Sequence, residues 1–332
     1  MKKVKIAQIG VNRYSHSVEI FRTLEKQSDY FEIVGYALPE NEEVRVANKT
    51  SYLQNYKKMT VEEILADPEI EAVAIETDEV YLTKYALQAA KAGKHIHMEK
   101  PGGIELSDFE ALINEMKQSG KVFHTGYMYR YNPTVMDIMK RIKSGELGEI
   151  YSVEIQMNSP HQKAHREFLS AFPGGIMFYL GCHLVDLMLQ IKGTPKNIIP
   201  FNKTSGKDGL SVTDSGFVVF EYDNGASFIK SNSTEIGGFL RRQLVINAEN
   251  ATIEVKPFEI NAAPNYMQVT DKTEYTDLGW NVKGDKTTSD IYNRYDLMLQ
   301  SFAKMVMGEV ENPYTYDYEL ELYKTILKCC GE

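Results

Sequence analysis

A chain of 332 residues is longer than single hydrophobic cores usually grow (~250–300 residues), so two domains are expected. Its 43% hydrophobic and 25% charged residues are those of a water-soluble globular protein, and a net charge of −9 argues against nucleic acid or anionic membrane as a partner. No apolar run approaches the ~18 residues of a membrane span, the start lacks the apolar stretch of a signal peptide, and Cys182, Cys329 and Cys330 form neither a disulfide framework nor a zinc spacing; a cytoplasmic location is expected.

Residues 4–9 read as a strand, followed by Gly10-Val11-Asn12-Arg13-Tyr14-Ser15 and a helix through Val18, Phe21 and Leu24. Strand, glycine turn and helix make the first half of a dinucleotide-binding unit, where helix N–H groups face a pyrophosphate. Gly10 holds the first glycine place, but Asn12 stands at the second and Ser15 at the third. Asn12 is expected to tolerate the left-handed backbone a glycine would adopt. Taken alone, the turn fits either a cofactor loop or a purely structural βα connection. The next strand, 31–37, ends at Leu38, where an acid would accept from the ribose hydroxyls of NAD; Glu40 lies two residues on. No basic cluster follows, so NAD is expected over NADP, and Arg13 is the one residue that argues for NADP.

Thr60 and Glu63 are spaced as a capping box, and strand 72–76 ends at Thr77-Asp78-Glu79. A helix over 81–92 closes at Gly93. Then comes His95-Ile96-His97-Met98-Glu99-Lys100-Pro101, a short buried strand stopped by proline. Lys100 should therefore emerge at the carboxyl end of its strand, the edge at which open parallel sheets bind ligands. There a lysine can donate to a substrate hydroxyl or polarise a carbonyl; the plain alternative is a solvated surface lysine. A helix over 106–118 and a strand over 122–126 complete a β-α array, which predicts a doubly wound parallel sheet.

The run from Ala89-Ala90-Lys91-Ala92-Gly93 through Glu99-Lys100-Pro101 resembles the signature of the Gfo/Idh/MocA oxidoreductases, which include inositol and glucose–fructose dehydrogenases. The resemblance continues through Gly126-Tyr127-Met128-Tyr129-Arg130-Tyr131-Asn132-Pro133 and Ser144-Gly145-Glu146-Leu147-Gly148-Glu149-Ile150, in order along nearly the whole chain. It implies a Rossmann domain and an α+β substrate and oligomerisation domain, and the change of pattern near Tyr127 places them over 1–126 and 127–332. It further implies cofactor contacts from Gly10, Asn12, Arg13, Tyr14, Leu38, Glu40, Thr77, Asp78, Glu79, Glu99, Lys100 and Arg130, with Tyr127 and Arg130 lining the cleft.

In the second half, a helix over 134–143 precedes the strands 151–157, 217–222, 226–230, 243–246 and 252–255. Asp223-Asn224-Gly225 is a hairpin signal. Strands without helical crossovers predict a large, mostly antiparallel sheet. The resemblance implies that its open face packs on a sister subunit, as a homodimer or homotetramer. Ahead of the sheet, Met177, Leu180, Leu184, Leu187 and Ile191 form one helical stripe, while Tyr179, His183 and Asp186 share another face. Asp186 could fix the tautomer of His183. In the family this helix carries the catalytic histidine, and Gly181-x-His183-x-x-Asp186 matches its pattern. The place of the family's aspartate is Tyr179, and Asp78-Glu79 and Leu82 replace its Pro-Asn and histidine. His161 and His165 are spaced as half a metal site if their loop is helical, but no cysteine or carboxylate cluster completes it unless Glu167 takes part, and no metal is expected. The tail, 292–307 and 318–328, reads as two amphipathic helices.

These features point to an NAD-dependent dehydrogenase acting on a secondary alcohol of a sugar, cyclitol or related polyol. His183 would take the hydroxyl proton, Lys100 would hold and polarise the same oxygen, and Tyr179 and Asp186 would orient His183 or the substrate. The departures at Asn12, Leu38, Glu79 and Tyr179 keep open a different class: a family member without turnover that acts as a binding or regulatory protein.

Overall fold

The computed structural model describes residues 2–332, which divide into two compact units. The first comprises the chain up to Met128 together with Tyr295–Tyr323; the second comprises Tyr129–Arg294 and Lys324–Glu332. Among the described residues, no helix is long and apolar enough to cross a membrane.

In the first unit, strands β1 (Val4–Ile9), β2 (Phe31–Ala37), β3 (Ala72–Ile75), β4 (His95–Met98) and β5 (Phe123–Thr125) form a parallel sheet in the order β2-β1-β3-β4-β5. The order reverses between β1 and β3, so the crevice beyond their carboxyl ends is where this architecture takes its ligands. Strand β3 is buried at every position, as both faces of such a sheet are covered by helices. The helices between and after the strands are α1 (Ser17–Lys26), the short α2 (Glu42–Arg45), α3 (Val61–Ala66), α4 (Leu82–Lys91) and α5 (Leu106–Ser119). Thr60 accepts from the Glu63 N–H while the Glu63 side chain accepts from Thr60, the reciprocal cap its spacing predicts.

The C-terminal stretch departs from the expected division at residue 126, because 295–323 belongs with the first unit. Its apolar side chains have their partners there. On helix α9 (Asp296–Val306), Phe302 is fully buried and its ring lies 6.5 Å from Phe31, 5.8 Å from His97 and 5.4 Å from His124. Tyr323 stacks on Phe109 at 4.2 Å and donates to the Gly103 carbonyl.

The second unit opens on α6 (Pro133–Lys143), with Asn132 accepting from the N–H groups of Thr134 and Val135 and proline at the first turn. Its sheet has eight strands: β6 (Ile150–Asn158), β7 (Asn197–Pro200), β8 (Ser215–Tyr222), β9 (Gly225–Asn232), β10 (Gln243–Ala248), β11 (Thr252–Val255), β14 (Asp271–Tyr275) and β15 (Asp285–Thr288). A small separate sheet holds β12 (Ile260–Ala263), β13 (Met267–Val269) and β16 (Tyr292–Asn293). All neighbours in the large sheet are antiparallel except β6 and β9. The β8–β9 hairpin turns through Asp223-Asn224, with Gly225 at φ 141°, a conformation that side chains avoid. One face buries Val218, Phe220, Ile229, Ile155, Leu244 and Ile246. Against it lie the π-helical turn Met177–Gly181 and the helix it leads into, α8 (Cys182–Lys192); the short α7 (Lys163–Phe168) precedes them in the chain.

Because Phe302 meets three aromatic or imidazole rings at once, Phe302→Ala should lower unfolding free energy by ~3–5 kcal/mol, the usual range for a deleted buried phenylalanine. A denaturant midpoint within error of the wild type would contradict its placement in this core.

Candidate active site

The glycine turn after β1 begins at Gly10, whose φ is 93° and where an added Cβ would lie 2.3 Å from Thr77 Cγ2. Only glycine permits that approach between the ends of β1 and β3. Asn12 does not adopt the left-handed backbone expected of it. It acts through its side chain instead: Oδ1 accepts from the N–H groups of Tyr14 and Ser15, both at 2.8 Å. Its Nδ2 donates to the Thr77 carbonyl and to Glu79, both at 3.0 Å.

The neighbouring N–H groups are also taken by side chains. Val11 donates to Glu42 Oε2 at 3.0 Å, Asn12 to Ser17 Oγ at 3.1 Å, and Arg13 to Asp78 Oδ1 at 3.0 Å. Asp78 is fully buried and also accepts from Arg13 Nε at 2.9 Å and from an Arg45 nitrogen at 2.7 Å. Tyr14, expected on the cofactor, contributes its N–H to this closed loop.

The end of β2, where the ribose is expected, is apolar at Leu38. Leu38 packs with Ile33, Tyr36, Tyr52 and Tyr56 against the buried cluster of Val11, Phe21, Val46 and Leu53. Glu40 has φ 58° and accepts from Lys84 Nζ and the Tyr85 hydroxyl; the hydrogen bond from Lys84 chiefly holds its carboxyl below the ordinary range.

Lys100 is 5% exposed, so it is no solvated surface lysine. Its Nζ lies 3.4 Å from Glu99 Oε1, which accepts from Ser15 Oγ at 2.9 Å. Two further buried carboxyls interact with it, Glu79 and Glu76. Burial pushes Glu79 up to about 7, against the attraction of Lys100 and the hydrogen bond from Asn12. Glu76 is likewise raised by burial, and neither of its oxygens has a hydrogen-bond partner. Sequence reading passed over Glu76; the signal was an acid directly following the wholly apolar run Ala72-Val73-Ala74-Ile75. His97 Nε2 lies 3.7 Å from Glu76 Oε1, and its Nδ1 is 2.8 Å from His124 Nδ1. Burial lowers His97 to about 3.

In the second unit, Tyr179, His183 and Asp186 are 4%, 2% and 1% exposed, so the polar row points into the protein. Asp186 pairs with Arg130. Arg130 reaches it at 2.7 Å through Nη2 and at 3.0 and 3.1 Å through Nε, and Gln190 adds a bond at 2.8 Å. Arg130, expected on the cofactor, is thereby a buried ion-pair partner within this unit. His183 meets the edge of Tyr129 with ring centroids 5.3 Å apart. The Tyr129 hydroxyl donates to Glu259, which also binds Arg294 and lies 3.6 Å from Arg242. Glu259, Arg242 and Arg294 carried no local sequence signal, since each lies far along the chain from Tyr129. Tyr179 sits among Phe172, Phe168, His161 and His165. The two imidazoles stack at 3.9 Å, an arrangement of faces rather than of convergent nitrogens. Among the described residues, no group of three or more His, Cys, Asp or Glu is arranged to hold a metal.

Buried titrating groups make stability depend on pH in both directions. Glu42 and Glu79 keep their protons in the folded protein up to about 8 and about 7, chiefly through burial, but ionise near 4.5 when unfolded. The folded state then binds more protons, and stability falls as pH rises from 4.5 to about 8. His97 stays neutral down to about 3 but takes a proton near 6.5 when unfolded, so it removes stability as pH falls from 6.5 towards 3. Thermal unfolding across pH should show a maximum in mildly acidic buffer, and Glu42→Gln should flatten its alkaline side. An unchanged alkaline slope in that variant would show that Glu42 is already ionised.

The profile of the "Oxidoreductase family, NAD-binding Rossmann fold" matches residues 4–127, and that of the "GFO/IDH/MocA C-terminal domain" matches 135–254. Over 224 residues the chain is 25% identical to a scyllo-inositol 2-dehydrogenase (NADP(+)) of Bacillus subtilis, covering 67% of this chain and 61% of the relative. Over 200 residues it is 28% identical to that organism's scyllo-inositol 2-dehydrogenase (NAD(+)), covering 57% and 56%. The matches thus span about three fifths of the length of these curated relatives. An aldose-aldose oxidoreductase from Caulobacter crescentus superposes with a TM-score of 0.79 at 16% identity, covering 99% of this chain and 96% of that one. The WlbA dehydrogenase from Bordetella pertussis does so with 0.78 at 17%, covering 98% and 95%; these likenesses speak to the fold alone. With both profiles matching in order across most of its length, the chain belongs to the Gfo/Idh/MocA family of NAD-binding Rossmann oxidoreductases.

Proposed function

We propose that the protein is an NAD(P)-dependent oxidoreductase acting on a secondary alcohol of a sugar, cyclitol or related polyol. The observation that carries this reading is Lys100, an almost fully buried ammonium facing Glu99 at the carboxyl edge of a Rossmann sheet. Relatives named as inositol dehydrogenases support the substrate class. The first unit fits a dinucleotide in its strand order and in the close approach at Gly10. Its loop N–H groups are engaged by side chains, so a pyrophosphate would hold to residues 11–15 only after exchanging with Asn12, Glu42 and Asp78. When bound, the nicotinamide supplies the hydride acceptor. In this proposal an imidazole nitrogen of His183 accepts the hydroxyl proton, and Lys100 Nζ donates to the substrate oxygen. Tyr129 and Tyr179 position His183 or the substrate. NAD is favoured over NADP because no basic cluster follows β2, where Asn41, Glu42 and Glu43 stand next in the chain.

The occupied loop favours a second reading, a binding or regulatory protein that keeps the fold without turnover. Reduction of NAD or NADP followed across a panel of inositols, aldoses and sugar acids separates the two. His183→Ala should lower kcat by ~10²–10⁴, the usual range for a general base. Lys100→Met should damage kcat and KM together, because an oxygen ligand acts in both the ground and transition states. Near-wild-type kcat in folded His183→Ala would remove the histidine from the chemistry.

A homodimer or homotetramer through the second unit's sheet belongs to the same proposal. Ile199, Val219 and Phe228 stand side by side on the face opposite the core, with Ile199 38% exposed. Apolar rows of this kind are usually covered. Sedimentation should give a multiple of 37.8 kDa at micromolar concentration; a monomer would contradict it.

A further inference from the structure

In a dinucleotide loop, backbone N–H groups stay open so that phosphate oxygens can accept from them. Here the five consecutive N–H groups of residues 11–15 all donate to side-chain oxygens, two to Asn12 and one each to Glu42, Ser17 and Asp78. Asn12, Ser17, Glu42 and Asp78 are all fully buried. Asn12 and Ser17 act locally, but two acceptors come from separate stretches of chain: Glu42 is 31 residues from Val11, and Asp78 is 65 from Arg13. A merely structural βα turn can pair its buried N–H groups from within the loop and the following helix, as Asn12 and Ser17 do here; the reach of Glu42 and Asp78 from distant stretches goes beyond that need. The cations are engaged as well. Asp78 pairs with both Arg13 and Arg45, and Lys49 donates to the carbonyls of Asn12 and Arg13. Acceptors on the N–H groups and arginines around one carboxylate together reproduce what a bound diphosphate would supply.

We propose that Asn12, Glu42 and Asp78 act as an internal substitute for the cofactor's pyrophosphate, closing the dinucleotide loop in the free protein and yielding its N–H groups when the cofactor binds. This rests on the reading that the first unit takes NAD. Binding is then an exchange of partners: the diphosphate accepts from residues 11–15, and Arg13 and Arg45 turn from Asp78 to phosphate. The asparagine at the second glycine place is on this account a built component of the closed loop. Removing the substitutes should open the loop to any diphosphate, whatever is attached to it.

The test uses the full chain with NADH and with ADP, which carries the diphosphate without nicotinamide, both titrated calorimetrically. Asn12→Gly and Asp78→Ala should each tighten both ligands by about tenfold, and their combination with Glu42→Ala by more. In the wild type, hydrogen exchange over residues 40–49 should quicken when NADH saturates the protein, as Glu42 and Arg45 let go. This second measurement needs no variant to fold. Wild-type protein that binds NADH as tightly as the variants, with no quickening over 40–49, overturns the proposal and leaves the dehydrogenase reading standing. Failure of NADH to bind wild type and folded variants alike overturns the cofactor reading and the proposal with it.

Discussion

The carboxamide of Asn12 is the contact on which the functional edge of the first unit depends. A primary amide has two N–H donors and two acceptor lone pairs, and all four are used here, by Tyr14, Ser15, Thr77 and Glu79. Because the residue is fully buried, any one left unmade would carry a desolvation penalty of ~1–3 kcal/mol. The side chain therefore ties the turn after β1 to the end of β3, the two strands that flank the topological switch. Gly10 permits that approach by lacking a Cβ, and Asn12 holds it.

Around this contact the charges are arranged by burial as much as by pairing. Asp78 is offset by two guanidinium groups, whereas Glu42, Glu76 and Glu79 are pushed towards their neutral forms by desolvation. Lys100 is the buried cation beside Glu99, in a region otherwise dominated by acids. Glu99 raises both Glu76 and Glu79 further, since a neighbouring carboxylate disfavours their charged forms.

The second unit solves the same problem differently. Arg130 and Asp186 form a buried, fork-like pair, and Glu259 gathers Tyr129, Arg242 and Arg294. His183 is packed against Tyr129, a member of that network, so its ring is steadied by a residue that the aromatic segment before α6 supplies. The π-helical turn leading into α8 departs from regular α-helical phase at the residues expected to form one face, a feature often found at functional sites.

Much of the architecture was written locally. Residue alternation, the Thr60–Glu63 cap, the Asp223-Asn224-Gly225 turn and the proline after Lys100 each act within a few residues, so strands, helices and both sheet types followed from the chain by itself. The family motifs, from Glu99-Lys100-Pro101 to Gly181-x-His183, were legible for the same reason. What only the tertiary structure decided was partnership. That Asp186 serves Arg130, that Glu42 and Asp78 reach back to the first turn, and that Phe302 returns to the first sheet all depend on residues 31 to more than 200 positions apart meeting in a dry interior. No local propensity encodes such a meeting. Hydrogen bonds and charges acquire their partners only when packing has excluded water and made an unpaired group costly.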